Sequence, residues 1–119
     1  MKTPTQKASD TLAKIREMIE DADCGFDSPE TKRRFAGLIQ ILKMHTSGFL
    51  PNDTQRIYLG EQIYKLDEYK EDLFAAGRPR FWQTHGECRA DMLTRCSIAQ
   101  GLIEKHAGEY EQPVASTIG

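Results

Sequence analysis

Cysteine is scarce in this chain: Cys24, Cys88 and Cys96 are the only three in 119 residues. An odd number with no C-x-x-C pair excludes a disulfide framework and the usual zinc knuckles. Charge of one sign is also missing. Sixteen basic residues face 18 acidic ones, so no global field draws the chain to nucleic acid or to an anionic membrane. No apolar run approaches the roughly 20 residues that cross a bilayer, and no amino-terminal segment reads as a secretory signal. These absences predict a soluble, cytoplasmic protein that has no contact with membrane. There is also no P-loop, no G-x-G-x-x-G, no G-x-S-x-G and no H-E-x-x-H. The common enzyme signatures are therefore lacking, and an enzyme is not expected.

What the chain does contain is helical periodicity. A chain of this length makes one domain able to bury a core without staples. Ala8, Leu12, Ile15, Ile19 and Ala22 are spaced four, three, four and three, which predicts a first helix over about 5–23, ended by Gly25. Ser28, Pro29 and Glu30 read as N-cap, first helical position and acidic first turn of a second helix. Its core stripe is Phe35, Leu38, Ile39 and Leu42, and Gly48 closes it. Pro51 with Asn52 or Asp53 opens a third helix along the seam Leu59, Ile63, Leu66 and Leu73, running to about Ala76 before Gly77 stops it. Thr84 and Glu87 have capping-box spacing for a fourth helix, with Met92, Cys96, Ala99 and Ile103 on one face and Gly108 at its end. No strand of convincing alternation and no internal repeat is found. The fold class is all-α: a single-domain bundle of about four helices over residues 1–108, with a loose tail over 109–119.

Charge is segregated by segment. Net values of minus two, plus three, minus three and plus two follow for residues 1–27, 28–50, 51–77 and 78–108, and the tail adds minus two. Neighbouring antiparallel helices with paired charges would produce this alternation. So would a basic face shared by helices two and four and built from Lys32, Arg33, Arg34, Arg78 and Arg80, able to bind phosphate, nucleotide or nucleic acid.

The stretch "GRPRFWQTHGEC", Gly77 to Cys88, is the densest cluster of chemistry. Pro79 holds Arg78 extended, which would set Arg78 and Arg80 on one side, about 7 Å apart, like successive phosphates of a single strand. Phe81 and the chain's only tryptophan, Trp82, offer a stacking surface. The competing reading is a corner, with the two rings plugging the end of the bundle and the arginines in water. His85, Glu87, Cys88, Cys96, His106 and His45 are metal-ligand types, but Cys88 and Cys96 lie about 12 Å apart along a helix, so no metal site is expected. Cys88 and Cys96 read as small buried hydrophobes, and Cys24 as a loop thiol. Asp67 with Glu68, and Glu71 with Asp72, read as solvated pairs.

Tyr58, Tyr64 and Tyr69 fall partly off the seam of helix three, where tyrosine suits interfaces. With Asp67 and Glu68 they define an acidic, tyrosine-bearing protein-contact face. Small helical chains without motifs are often adaptors or inhibitors, including accessory proteins of phages and other mobile elements. The expected function is therefore a non-enzymatic protein-interaction role with no cofactor. Anion, nucleotide or nucleic-acid binding through the basic face is the alternative, and homo-oligomerisation is compatible with either.

Overall fold

A computed structural model describes residues 2–22, 29–50 and 53–110. It shows four helices: α1 (Pro4–Glu20), α2 (Pro29–Thr46), α3 (Asp53–Leu73) and α4 (His85–Tyr110). No strand occurs among the described residues. The helices form a ring in chain order, each packing on its neighbours, with α4 closing back on α1. α2 and α4 lie across the diagonal. The reading of a basic face that they share side by side is therefore not met; α2 at net plus three packs on α3 at minus three, but α4 at minus one packs on α3 with the same sign, and α1 is neutral.

The apolar periods fold as the spacing predicts. Ala8, Leu12, Ile15 and Ile19 from α1, Phe35, Ile39 and Leu42 from α2, Leu59, Ile63, Leu66 and Leu73 from α3, and Met92, Cys96, Ala99 and Ile103 from α4 share one buried core. Leu38 is only partly buried against it, because Phe35, Ile39 and Leu42 already occupy the inward arc of α2.

Helix ends depart from the sequence reading in four places. α1 begins at Pro4 because Thr3 and Gln6 form a reciprocal capping box, Gln6 N–H donating to Thr3 Oγ1 at 3.1 Å and Thr3 N–H to Gln6 Oε1 at 2.9 Å. It ends at Glu20, earlier than expected, and Arg89 of α4 donates to the carbonyls of Ile19 and Ala22, a cation set at the negative end of the helix dipole. α3 stops at Leu73, not Ala76, because Phe74 turns into the core and meets Phe35 edge-on at 5.5 Å. α4 runs past Gly108 to Tyr110. Cys24, Gly25, Ser28, Pro51, Asn52 and residues 111–119 lie outside the described residues.

The turn after α2 holds the one left-handed non-glycine residue among those described, Leu50 at φ 56°. Such a backbone costs on the order of 1–3 kcal/mol and persists only when its surroundings fix it. Here the Leu50 side chain is fully buried, its N–H donates to His106 Nδ1 at 3.0 Å, and the ring of Phe49 stacks on that imidazole at 4.1 Å. The Nδ1 acceptor fixes His106 in its Nε2–H tautomer. An α2–α3 turn is thereby fastened to the last turns of α4. Polar links tie other neighbours: Lys32 to Glu71 across α2 and α3 at 2.9 Å, Arg95 to Gln62 across α3 and α4 at 3.0 Å, and Gln100 to Ser9 across α4 and α1 at 3.3 Å.

Phe35 fills the centre of this core and Leu38 only flanks it. Phe35→Ala is expected to cost about 3–5 kcal/mol in denaturant unfolding, and Leu38→Ala clearly less. Equal losses would show that α2 is not oriented as described.

Candidate functional site

Two regions carry the residues singled out in the sequence: the connector between α3 and α4, and the outward face of α3. The connector, residues 74–84, exceeds the two to eight residues usual between bundle helices. Its shape is set by one carboxylate. Asp72 is 3% exposed. Its Oδ1 accepts from Arg80 Nε at 3.0 Å and from Arg80 N–H at 2.9 Å, and its Oδ2 accepts from an Arg80 terminal nitrogen at 3.1 Å. Arg80 also donates to the Glu68 carbonyl at 3.3 Å. A fork-on-fork pair of this kind is among the strong hydrogen-bonded contacts available to side chains.

This arrangement corrects two expectations. Asp72 is not solvated, and Arg80 is not idle beside Arg78, since it folds back onto α3 while Arg78 stays exposed in water. Burial pushes the Asp72 carboxyl up, but the Arg80 guanidinium and N–H outweigh it and hold the group below its ordinary value. The bond to Lys32 likewise holds Glu71 low, reinforced by the nearby charges of Lys70 and Arg80, against a smaller push from burial.

The aromatic pair of the connector is divided. Trp82 is half-buried and stands edge-on to Tyr69 at 4.4 Å, whereas Phe81 is 60% exposed, with the Arg80 guanidinium over its ring at 5.1 Å. Trp82 therefore serves as the plug and Phe81 does not. Pro79 is buried beneath them. Thr84 caps α4 by accepting from Glu87 N–H at 3.1 Å, and the Glu87 carboxylate reaches one residue beyond the cap, to Gln83 N–H at 3.0 Å. An open cleft of about 660 Å³ lies along residues 78–83 and Glu87.

The five predicted α3 contacts do not form one face. Tyr69 is buried at 8% exposure, with Lys65 and Arg95 over its ring, and it seats Trp82. It continues the three- and four-residue spacing of Leu66 and Leu73, a signal its polar hydroxyl obscured. Tyr58 and Tyr64 are exposed but six residues apart, so they point about 120° away from each other. Asp67 pairs with Lys70 at 3.0 Å and Glu68 with Lys65 at 3.7 Å, both within the helix. The apolar residue that shares Tyr64's direction is Ile57, one heptad earlier and 69% exposed. An exposed isoleucine breaking the polar face was the available signal.

The predicted cations share one end of the bundle, since α2 begins where α3 ends, but two of the five are already engaged. Lys32 is held by Glu71 and Arg80 by Asp72, while Arg33, Arg34 and Arg78 have no ion-pair partner among the described residues. Of the metal-ligand types, His85 Nε2 lies 3.2 Å from the Ala75 carbonyl, and Cys88 and Cys96 are buried. Burial pushes the Cys96 thiol up to about 12, with Arg16 opposing it, so little reactive thiolate forms at neutral pH. Among the described residues no three His, Cys, Asp or Glu side chains are grouped to hold a metal ion, and no helix is long and apolar enough to cross a membrane. The chain matches no protein-family model, no curated protein and no solved structure.

A carboxylate held low in the folded state contributes stability above its unfolded value and loses it as pH falls through its folded value. The Asp72–Arg80 pair is therefore expected to contribute fully above about pH 4 and to be lost progressively below it. Asp72→Asn should flatten the fall of melting temperature in that acid range. Arg80→Ala should destabilise at neutral pH where Arg78→Ala does not. An acid limb unchanged by Asp72→Asn would show that Arg80 does not hold the carboxylate.

Proposed function

We propose that this chain is a non-enzymatic protein-interaction module of adaptor or inhibitor type, and that it contacts its partner along the outward face of α3. The observation that carries this reading is the exposure of Ile57 and Tyr64, at 69% and 57%, one heptad apart on the side of α3 opposite its core seam. Neither side chain has a task inside the bundle. Spacing of seven places both on the same stripe, as anchors for a helix or ridge of another protein are placed.

Gly60 lies between them, and a Cβ there would meet nothing within 4 Å. The fold thus has no use for a mid-helix glycine that costs roughly 0.5–1 kcal/mol relative to alanine. A partner surface pressed against the stripe gives it one. Glu61, without an ion-pair partner among the described residues, and Glu71 border the stripe, so the complementary surface is apolar with basic flanks. Tyrosine supplies contact area at low entropic cost, and burying Ile57 would contribute roughly 1.5–3 kcal/mol.

Two outcomes follow. Gly60→Ala is expected to raise stability by roughly 0.5–1 kcal/mol in chemical unfolding while weakening the partner complex. A photo-crosslinker at position 57 or 64, used in the native host, should capture one discrete protein and lose it on Glu61→Lys. The same yield from a crosslinker at exposed position 94 on α4 would mean that α3 is not the contact.

A further inference from the structure

The connector cleft is separate from the α3 stripe, and its chemistry differs. We infer that it is a nucleotide site, in which a flat base stacks on Phe81 beside Trp82 and the attached phosphate is taken by Arg78. Two observations converge on this ligand class. Phe81 keeps 60% of its surface in water although it belongs to a cluster of rings with Trp82 at 5.8 Å and Tyr69 at 6.0 Å. The exposed ring extends that cluster into the cleft, and aromatic platforms bind bases of any sequence. Arg78 is exposed with no carboxylate partner among the described residues, whereas Arg80 two residues on is spent on Asp72. It is the cation of this cleft left to meet a phosphate, which guanidinium binds in bidentate fashion.

The cleft is also preorganised. The Arg80–Asp72 fork, the buried Pro79 and the Trp82–Tyr69 contact fix the backbone on both sides of Phe81 before any ligand arrives. Binding then requires little ordering of the protein. Glu87 on the rim repels phosphate, which orients it toward Arg78 and leaves the side-chain amide of Gln83 for the edge of the base. The same chemistry is offered by a free mononucleotide or by one unit of a single strand. Arg33 and Arg34, unpaired at the same end of the bundle, extend the positive surface in the second case.

Trp82, the chain's only tryptophan, lines the cleft and reports on it directly. Titration with AMP and with hexa-adenylate should quench its fluorescence, and added salt should weaken the effect. Phe81→Ala and Arg78→Ala are each expected to weaken binding about tenfold, Arg78→Ala with the melting temperature unchanged and Phe81→Ala with the protein still folded, its ring contacts being only part of the connector's packing. Quenching by AMP assigns a mononucleotide site. Quenching by the hexamer alone, reduced by Arg33→Ala with Arg34→Ala, assigns a single strand; both results support the proposal. No quenching by either ligand at millimolar concentration would overturn it, as would equal quenching in Arg78→Ala. Capture of a protein by a crosslinker at position 81 without nucleotide quenching would give the connector to a protein partner and overturn it as well.

Discussion

A single buried carboxylate decides how the second half of this molecule is arranged. α3 could continue in register past Leu73 as far as Ala76, and nothing in the propensity of "FAA" forbids it. Asp72 prevents this, because at 3% exposure it must find charge-assisted partners, and Arg80 supplies three donors to it from eight residues along. Satisfying that group folds the chain back across the end of α3. Phe74 is thereby directed at Phe35, Pro79 is buried, and Trp82 comes down on Tyr69. The direction from which α4 begins follows from this, and with it the placing of Arg89 at the carboxyl end of α1.

The opposite end of the bundle is fixed by another kind of contact. There a neutral imidazole accepts a backbone N–H and holds Leu50 in a conformation that leucine seldom adopts. Both ends use a buried polar side chain to satisfy backbone in a connection, but from different ranges: His106 of α4 reaches the connection between two other helices, whereas Asp72 holds the connection that its own helix opens. The helices between them need no such device, because their apolar periods already place every core side chain. The loosest neighbours, α2 and α3, are bridged at one end by Lys32–Glu71, while at the other a cavity of about 260 Å³ opens over Leu59 and Ile63.

The helical parts were legible in the sequence for a definite reason. Periodicity of 3.6 residues is a property of one segment, so Leu12, Ile39, Leu66 and Met92 each declare their burial without reference to any other helix. Thr84 and Glu87 are similarly local, and their cap differs from expectation only in that Glu87 reaches Gln83. Asp72 and Arg80 were not legible, because their pairing depends on a turn whose shape the pair itself creates. Tyr69 was readable from its spacing but was misassigned by residue type, and the 120° divergence of Tyr58 from Tyr64 was a matter of angle that grouping by kind overlooks. Leu50 and His106, 56 positions apart, leave no trace in either local pattern.

The same accounting separates surface that serves the fold from surface that does not. A basic patch read from composition counts Lys32, Arg33, Arg34, Arg78 and Arg80 alike, whereas the structure neutralises Lys32 and Arg80 with carboxylates of α3. Exposed ion pairs contribute little stability, but Arg80 engages a buried partner, and its real effect is positional. It makes a long connector into a fixed platform, and it leaves Arg78 as the neighbouring cation without an ion-pair partner among the described residues. Ile57 and Tyr64 stand in the same relation to α3, whose core seam is complete without them. Ile41 and Met44 of α2 are exposed as well, but two places combine exposure with a second feature, one apolar with acidic borders and one aromatic with an exposed guanidinium. Their chemistries differ enough that a single partner would have to be both basic and phosphate-bearing to occupy them together, so the two proposals stand or fall separately.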